Sequence, residues 1–297
     1  MFIVKHKKIF ISISAALVLI SIIMLFVFPP QIGIDFKGGA LTEVAYKSSR
    51  PAQSDLDAML KALNLGSVLL QPTGDLGYII KSPDLSDAQH SSLLEMLSQN
   101  GKSPLEEKSF NSIGPSVGRE LTRKAIIAII LVSLAIIIFI AFAFRKVSKP
   151  VSSWKYGIIA VITLLHDVMI PIGVFSILSH FYGAEIDTLF VVAALTILGL
   201  SVSDTIVIFD RIRENLRNKI ENTFSATVGK SLDQSYMRSI FTSLTVIIVL
   251  LSLFFFGPES TKYFALMLTA GMFFGTYSSI FLASPLLVVV EERQAKK

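Results

Sequence analysis

The stretch Leu189-Phe190-Val191-Val192-Ala193-Ala194-Leu195-Thr196-Ile197-Leu198-Gly199-Leu200-Ser201-Val202-Ser203-Asp204-Thr205-Ile206-Val207-Ile208-Phe209 is long and apolar enough to cross a bilayer, and it carries a carboxylic acid inside it. It ends abruptly in the charged run Asp210-Arg211-Ile212-Arg213-Glu214-Asn215. A charged side chain at that depth costs several kcal/mol unless it is protonated, paired or wetted, so Asp204 is a candidate functional residue from the outset. At 1.5 Å per residue it lies roughly 24 Å along the helix, toward the charged end but still within hydrocarbon.

The rest of the chain agrees with a membrane reading. Hydrophobic residues make up 52% of the 297 residues and charged ones 16%, beyond the range of an ordinary soluble domain. Further apolar runs at about 9–28, 125–144, 156–179, 239–256 and 263–290 bring the expected spans to six, with 188–209 as the fourth. Phe28-Pro29-Pro30 offers no small-residue cleavage site, so the first run is expected to stay as a helix. The +5 net charge falls beside the apolar runs. One side receives Lys5, Lys7, Lys8, Arg145, Lys146, Lys149, Lys155, Arg211, Arg213, Arg217, Lys219, Lys230, Arg293, Lys296 and Lys297, whereas the short loops His180 to Asp187 and Gly257 to Lys262 carry only Lys262. This asymmetry predicts cytoplasmic termini and argues for lipid, not nucleic acid, as the basic surface's neighbour. With no cysteine, disulfides and thiolate metal sites are excluded.

The predicted organisation is 1–28, a cytoplasmic start and first span; 29–124, an exported head; 125–290, spans two to six; and 291–297, a cytoplasmic tail. Within the head, Leu41 to Tyr46 alternates as a strand, and Ser54 is expected to cap a helix through Leu63 with Leu56, Met59, Leu60 and Leu63 on one face. Val68 to Leu70 and Tyr78 to Lys81 are short strands, Ser86 caps a second helix through Ser98, and Pro104 to Phe110 is a last strand. The order β-α-β-β-α-β is that of a ferredoxin-like α+β unit. The segment 211–236 is expected to lie along the cytoplasmic membrane surface.

Three further groups could carry chemistry. Arg238, Thr242 and Thr245 fall at i, i+4 and i+7. If that face packs on Asp204, an ion pair compensates the buried charge and protonation releases it; alternatively Arg238 snorkels to the headgroups and Asp204 is a satisfied structural acid. His166-Asp167 sits near the middle of the third span, with Pro171 freeing the Asp167 carbonyl, and reads either as a proton relay or as a structural polar pair. Gly271-x-x-x-Gly275 permits close helix approach. No Walker motif, zinc-ligand spacing or nucleophile elbow occurs, so neither enzymatic catalysis nor a cofactor is expected.

Four motifs, in order, resemble the SecF family. They are Gly33-Ile34-Asp35-Phe36-Lys37-Gly38-Gly39, Ile113-Gly114-Pro115-Ser116-Val117-Gly118-Arg119-Glu120-Leu121, Leu164 to Ile170 with its His-Asp pair, and Ser203 to Asn215 with Asp204, Asp210 and Arg211. Many relatives carry Asn where this chain has Ser203. The resemblance implies a six-span subunit of the bacterial cytoplasmic (inner) membrane with an exported head, akin to resistance-nodulation-division (RND) transporters. It further implies SecD as partner, the SecYEG channel and SecA motor as neighbours, YajC and YidC as further candidates, and a translocating preprotein as client. In that family proton flow helps draw preproteins across, and Asp204 and Arg238 match its intramembrane acid and base. Two other readings stand beside it: a small-molecule transporter subunit of the same superfamily, and a purely structural assembly subunit.

Overall fold

The computed structural model describes residues 2–66, 68–143 and 151–295. Arg145, Lys146, Lys149, Lys296 and Lys297, counted in the charge asymmetry, lie outside them. Among the described residues, six helices are long and apolar enough to cross a membrane: Lys7–Val27, Pro115–Ile140, Trp154–Tyr182, Thr188–Arg217, Phe224–Phe256 and Lys262–Gln294. The chain divides into two compact units, one comprising Met1–Gln31 with Ala128–Lys297, the other Ile32–Ile127.

The second unit is the head. Its strands are β1 (Gly39–Tyr46), β2 (Leu69–Thr73), β3 (Gly77–Ser82) and β4 (Leu105–Ile113), with helices Gln53–Ala62 and Asp87–Leu97 between them. The sheet order is β2-β3-β1-β4 and every neighbouring pair is antiparallel, the ferredoxin-like arrangement. Alternation along β1 turns Ala40, Thr42, Val44 and Tyr46 inward. Val44 and Tyr46 join Leu56, Leu60, Leu70, Tyr78, Ile80, Leu93 and Leu97 in the core. Pro72 is tolerated because β2 is an edge strand. Ser86 and Gln89 form a reciprocal capping box at the second helix. The first helix differs from expectation: it starts at Gln53 after an uncapped Ala52, and Ser54, already inside it, donates to Asp55 Oδ1 at 3.3 Å.

Two glycine-containing motifs meet at the base of this unit. Gly38 takes φ +81°, a conformation L side chains avoid, and a Cβ there would stand 2.9 Å from Pro115 Cα. A Cβ on Gly118 would lie 2.9 Å from both the Gly38 nitrogen and the Phe36 carbonyl oxygen. Gly33 precedes the one-turn helix Ile34–Lys37 holding Asp35, Gly39 continues into β1, and Gly114 precedes the helix beginning at Pro115. The residues where the chain enters and leaves the head are thus packed backbone to backbone.

In the membrane unit, the third, fourth and sixth spans form the interior, while the first, second and fifth are mostly exposed. The first span docks on the third through small residues. Gly173 leaves room for Ser21, whose Cβ would be 2.5 Å from an added methyl, and the Ser176 hydroxyl donates to the carbonyls of Met24, at 3.1 Å, and Phe28. Arg211 to Tyr236, expected to lie along the membrane surface, is built from the ends of two long helices and not from an element of its own. The fourth helix runs on to Arg217, the fifth begins at Phe224, and the extension is buried on one face at Val228, Ser231, Leu232 and Ser235. Asn215 Nδ2 ties the two arms by donating to Ser231 Oγ and Gln234 Oε1, both at 2.8 Å.

The head core contains one strongly perturbed group. Tyr46 donates its hydroxyl proton to the Leu97 carbonyl at 2.9 Å, and burial, with the nearby Tyr78, pushes its ionisation up to about 12 from 10.0. Because the folded value lies above the unfolded one, this contribution is full below pH 10 and is lost as pH rises through about 12. Tyr46→Phe should therefore cost about 1 kcal/mol at neutral pH through the lost hydrogen bond. It should also flatten the alkaline fall in stability, as checked by thermal melts of the detergent-solubilised chain across that pH range.

Candidate functional site: an intramembrane polar cluster

Apolar helices that carry isolated polar side chains gain most by turning them toward one another, and the membrane unit does this across four spans. Asp204, half-buried on the fourth span, accepts through Oδ2 from Thr276 Oγ1 of the sixth at 3.1 Å and from Ser243 Oγ of the fifth at 3.4 Å. The two hydroxyls are also within hydrogen-bond distance of each other, and with one proton apiece they share their donation between Asp204 and this mutual contact. One turn away, Asp167 of the third span is wholly buried between His166 Nδ1, 2.8 Å from Oδ1, and Ser201 Oγ, which donates to Oδ2. Since Ser201 and Asp204 are three residues apart on one helix, the two acids belong to a single seam. Thr205 extends it to Ser279, their hydroxyls 2.8 Å apart.

His166 is 3% exposed, stacks on Tyr277 with ring centroids 6.1 Å apart, and has no partner at Nε2 among the described residues. Tyr277 in turn stacks on Phe281 at 5.1 Å. Hydroxyls both donate and accept, so the Ser243–Thr276 pair can serve an ionised Asp204 as donors and a protonated one as acceptors.

Close helix approach makes these bonds geometrically possible. Gly271 faces the Ile197 side chain directly, and a Cβ on Gly275 would sit 3.3 Å from that of Ser201. The backbone of the sixth span is thereby drawn against the fourth, bringing Thr276 to Asp204. Below this point the sixth helix opens into a π-turn at Ser279–Ala283. Pro285 has no N–H to return to the Phe281 carbonyl, and Ser284 Oγ instead donates to the Ser279 carbonyl at 3.2 Å.

The structure separates some residues that spacing had grouped. Arg238 is exposed and makes no ion pair among the described residues; Thr242 and Thr245 are exposed with it. The buried face of the fifth span is rotated by one residue, carrying Ser239 and Ser243. The i, i+4 spacing of those two serines was the available signal for the true face. Asp210 and Arg211 lie beyond the seam, where Asp210 pairs with Arg213 at 2.6 Å and Arg211 with Glu214 at 2.6 Å, while Arg211 Nε donates to Gln234 at 2.8 Å. Among the described residues no group of His, Asp and Glu side chains could hold a metal ion.

Such a bundle, with a polar seam inside and an α+β head, defines a multi-pass membrane protein. Residues 93–293 match the family described as protein export membrane protein SecD/SecF, C-terminal. The chain is 41% identical over 301 residues to the protein translocase subunit SecF of Thermobaculum terrenum, covering 98% of this chain and 94% of the relative. It is 35% identical to that of Anaerolinea thermophila, covering 97% and 94%. The solved SecDF of Thermus thermophilus, described as a translocon-associated membrane protein, superposes with a TM-score of 0.83 at 27% identity over 97% of this chain. SecDF in its super-membrane-facing form gives 0.66 at 29% identity over 96%. This chain spans only 38% of the length of either SecDF chain. The chain belongs to the SecF family of protein-export membrane proteins.

The Gly271–Ile197 contact gives a direct test of how the seam is assembled. Gly271→Ala should lower stability by about 1–3 kcal/mol through overpacking. Ile197→Ala should cost stability alone through its cavity, yet recover part of the Gly271→Ala loss when combined with it. Thermal melts of the four proteins in detergent give the coupling energy of that cycle.

Proposed function

We propose that this chain is the SecF subunit of a SecD–SecF assembly that uses the proton-motive force to assist preprotein translocation across, and release from, the cytoplasmic membrane. In this reading both termini are cytoplasmic, the head is exported, and the work is transport, not enzymatic catalysis. A SecD-type partner supplies the remainder of what SecDF carries in one chain, and the assembly acts beside the SecYEG channel and the SecA motor, with YajC and YidC as further associates.

The observation that carries the reading is Asp204, half-buried and held, among the described residues, by hydroxyls, while Arg238 stands exposed on the adjoining span. An acid satisfied by hydroxyls can be protonated in place, and the alternative, ion-paired state requires the fifth span to turn Arg238, exposed in this structure, toward the seam. One charge crossing 100 mV is worth about 2.3 kcal/mol, enough to shift a balanced equilibrium roughly fiftyfold. The alternation of Asp204 between its two states then drives movement of the head. His166 and Asp167 serve this reading as a relay reaching Asp204 through Ser201, or as the polar pair that fixes Ser201. Nothing specific to the site favours a small-molecule transporter, and a structural subunit would not require an acid so placed.

The test is gradient-dependent export of a preprotein from vesicles containing the partner SecD and either this chain or Asp204→Asn. The variant should assemble normally and lose the gradient-stimulated component, with Arg238→Gln doing the same. Unchanged gradient-stimulated export by Asp204→Asn would sink the proposal and leave a scaffold role.

A further inference from the structure

The sixth span ends between two grooves that share Arg293. The larger, about 930 Å³, runs between the third and sixth spans and is lined by Trp154, Lys155, Ile158, Ile162, Leu286 and Val290 before reaching Arg293. The smaller, about 410 Å³, lies toward the first span and includes Lys8. Its Lys7 is paired with Glu292 at 2.5 Å, which neutralises that acid. Lys8, Lys155 and Arg293 make no ion pair with any described residue, so cationic charge gathers at the mouth while the walls below are aliphatic.

The larger groove has the layout of a membrane boundary. Trp154, the only tryptophan of the chain, is 61% exposed at its rim, with Lys155 Nζ 5.7 Å from its ring. An exposed Trp beside Lys and Arg is the composition of the headgroup layer. Ile158 and Ile162 follow one and two turns deeper on the third helix, 47% and 44% exposed. From Trp154 to Ile162 the wall descends about 12 Å, enough to lie against the upper half of an extended acyl chain.

We infer that this groove is a binding site for an anionic phospholipid, its phosphate held between Lys155 and Arg293 and one acyl chain lying against Ile158, Ile162, Leu286 and Val290. Charge complementarity selects an anionic headgroup over a zwitterionic one, and the aliphatic wall selects a lipid over a soluble anion. A protein helix would fill the wall but leave the two cations without a counter-charge. The site rests on the six-span membrane reading and does not depend on proton coupling, so Asp204→Asn should bind lipid normally.

The experiment is native mass spectrometry of the purified complex with its SecD partner, presented with equal amounts of phosphatidylglycerol and phosphatidylcholine. Phosphatidylglycerol should be retained in preference. The double variant Lys155→Gln/Arg293→Gln should bind it about thirtyfold more weakly, the loss expected for two surface cations. Leu286→Trp, which fills the wall and keeps both charges, should also lose it. Equal retention of the two lipids, retention unaffected by either variant, displacement by inorganic phosphate, or a groove that accepts no lipid within the complex would each overturn the assignment.

Discussion

Everything in the membrane unit is arranged around the cost of keeping two carboxylic acids away from water. Among the described residues neither Asp167 nor Asp204 has an ion pair with a Lys or Arg, and each is satisfied by hydroxyls and, for Asp167, by His166. Hydroxyls are short, so they reach an acid on another helix only when the backbones lie close together. The demand for small residues at Gly271, Gly275, Ser201 and Ser243 follows from this. So does the division between three interior spans, which carry most of the seam, and three exposed ones. Removing a hydroxyl donor would leave a buried acceptor unpaired, which costs more than the bond contributes net.

The head answers a different constraint. A unit of under 100 residues without disulfides must draw its stability from a complete core and well-made ends, and it does so with nine fully or nearly buried side chains and a reciprocal capping box. Within this unit the segments carrying Gly38 and Gly118 lie backbone against backbone, where no side chain fits.

Much of this was legible in the residues because the signals were local. Apolar run length set the spans, the alternation over Leu41 to Tyr46 marked a strand, and Ser86 marked a helix start. Ser54 misled because a serine near a helix start caps only in the N-cap position itself, and here that position is Ala52, two residues sooner. The extension from Arg211 to Tyr236 misled because its charges lie on one face and its small buried residues on the other, which composition averages together. Asp204 was visible by depth alone. Its partners were not, since Ser243 and Thr276 are ordinary residues of apolar helices until tertiary packing aligns them. Arg238 drew the eye by charge, but helix rotation is fixed by burial of neighbouring serines, one position away.

The π-turn at Ser279–Ala283 gives the sixth span a property that a uniform helix lacks. An extra residue in one turn advances the following helix by about 100° relative to the preceding one. Gly271, Gly275 and Thr276 therefore follow one rotational phase, set by the fourth span and Asp204, while Leu286, Val290 and Arg293 follow another, set by the third and first spans. The sixth span is therefore two continuous helical segments, each indexed to its own neighbours.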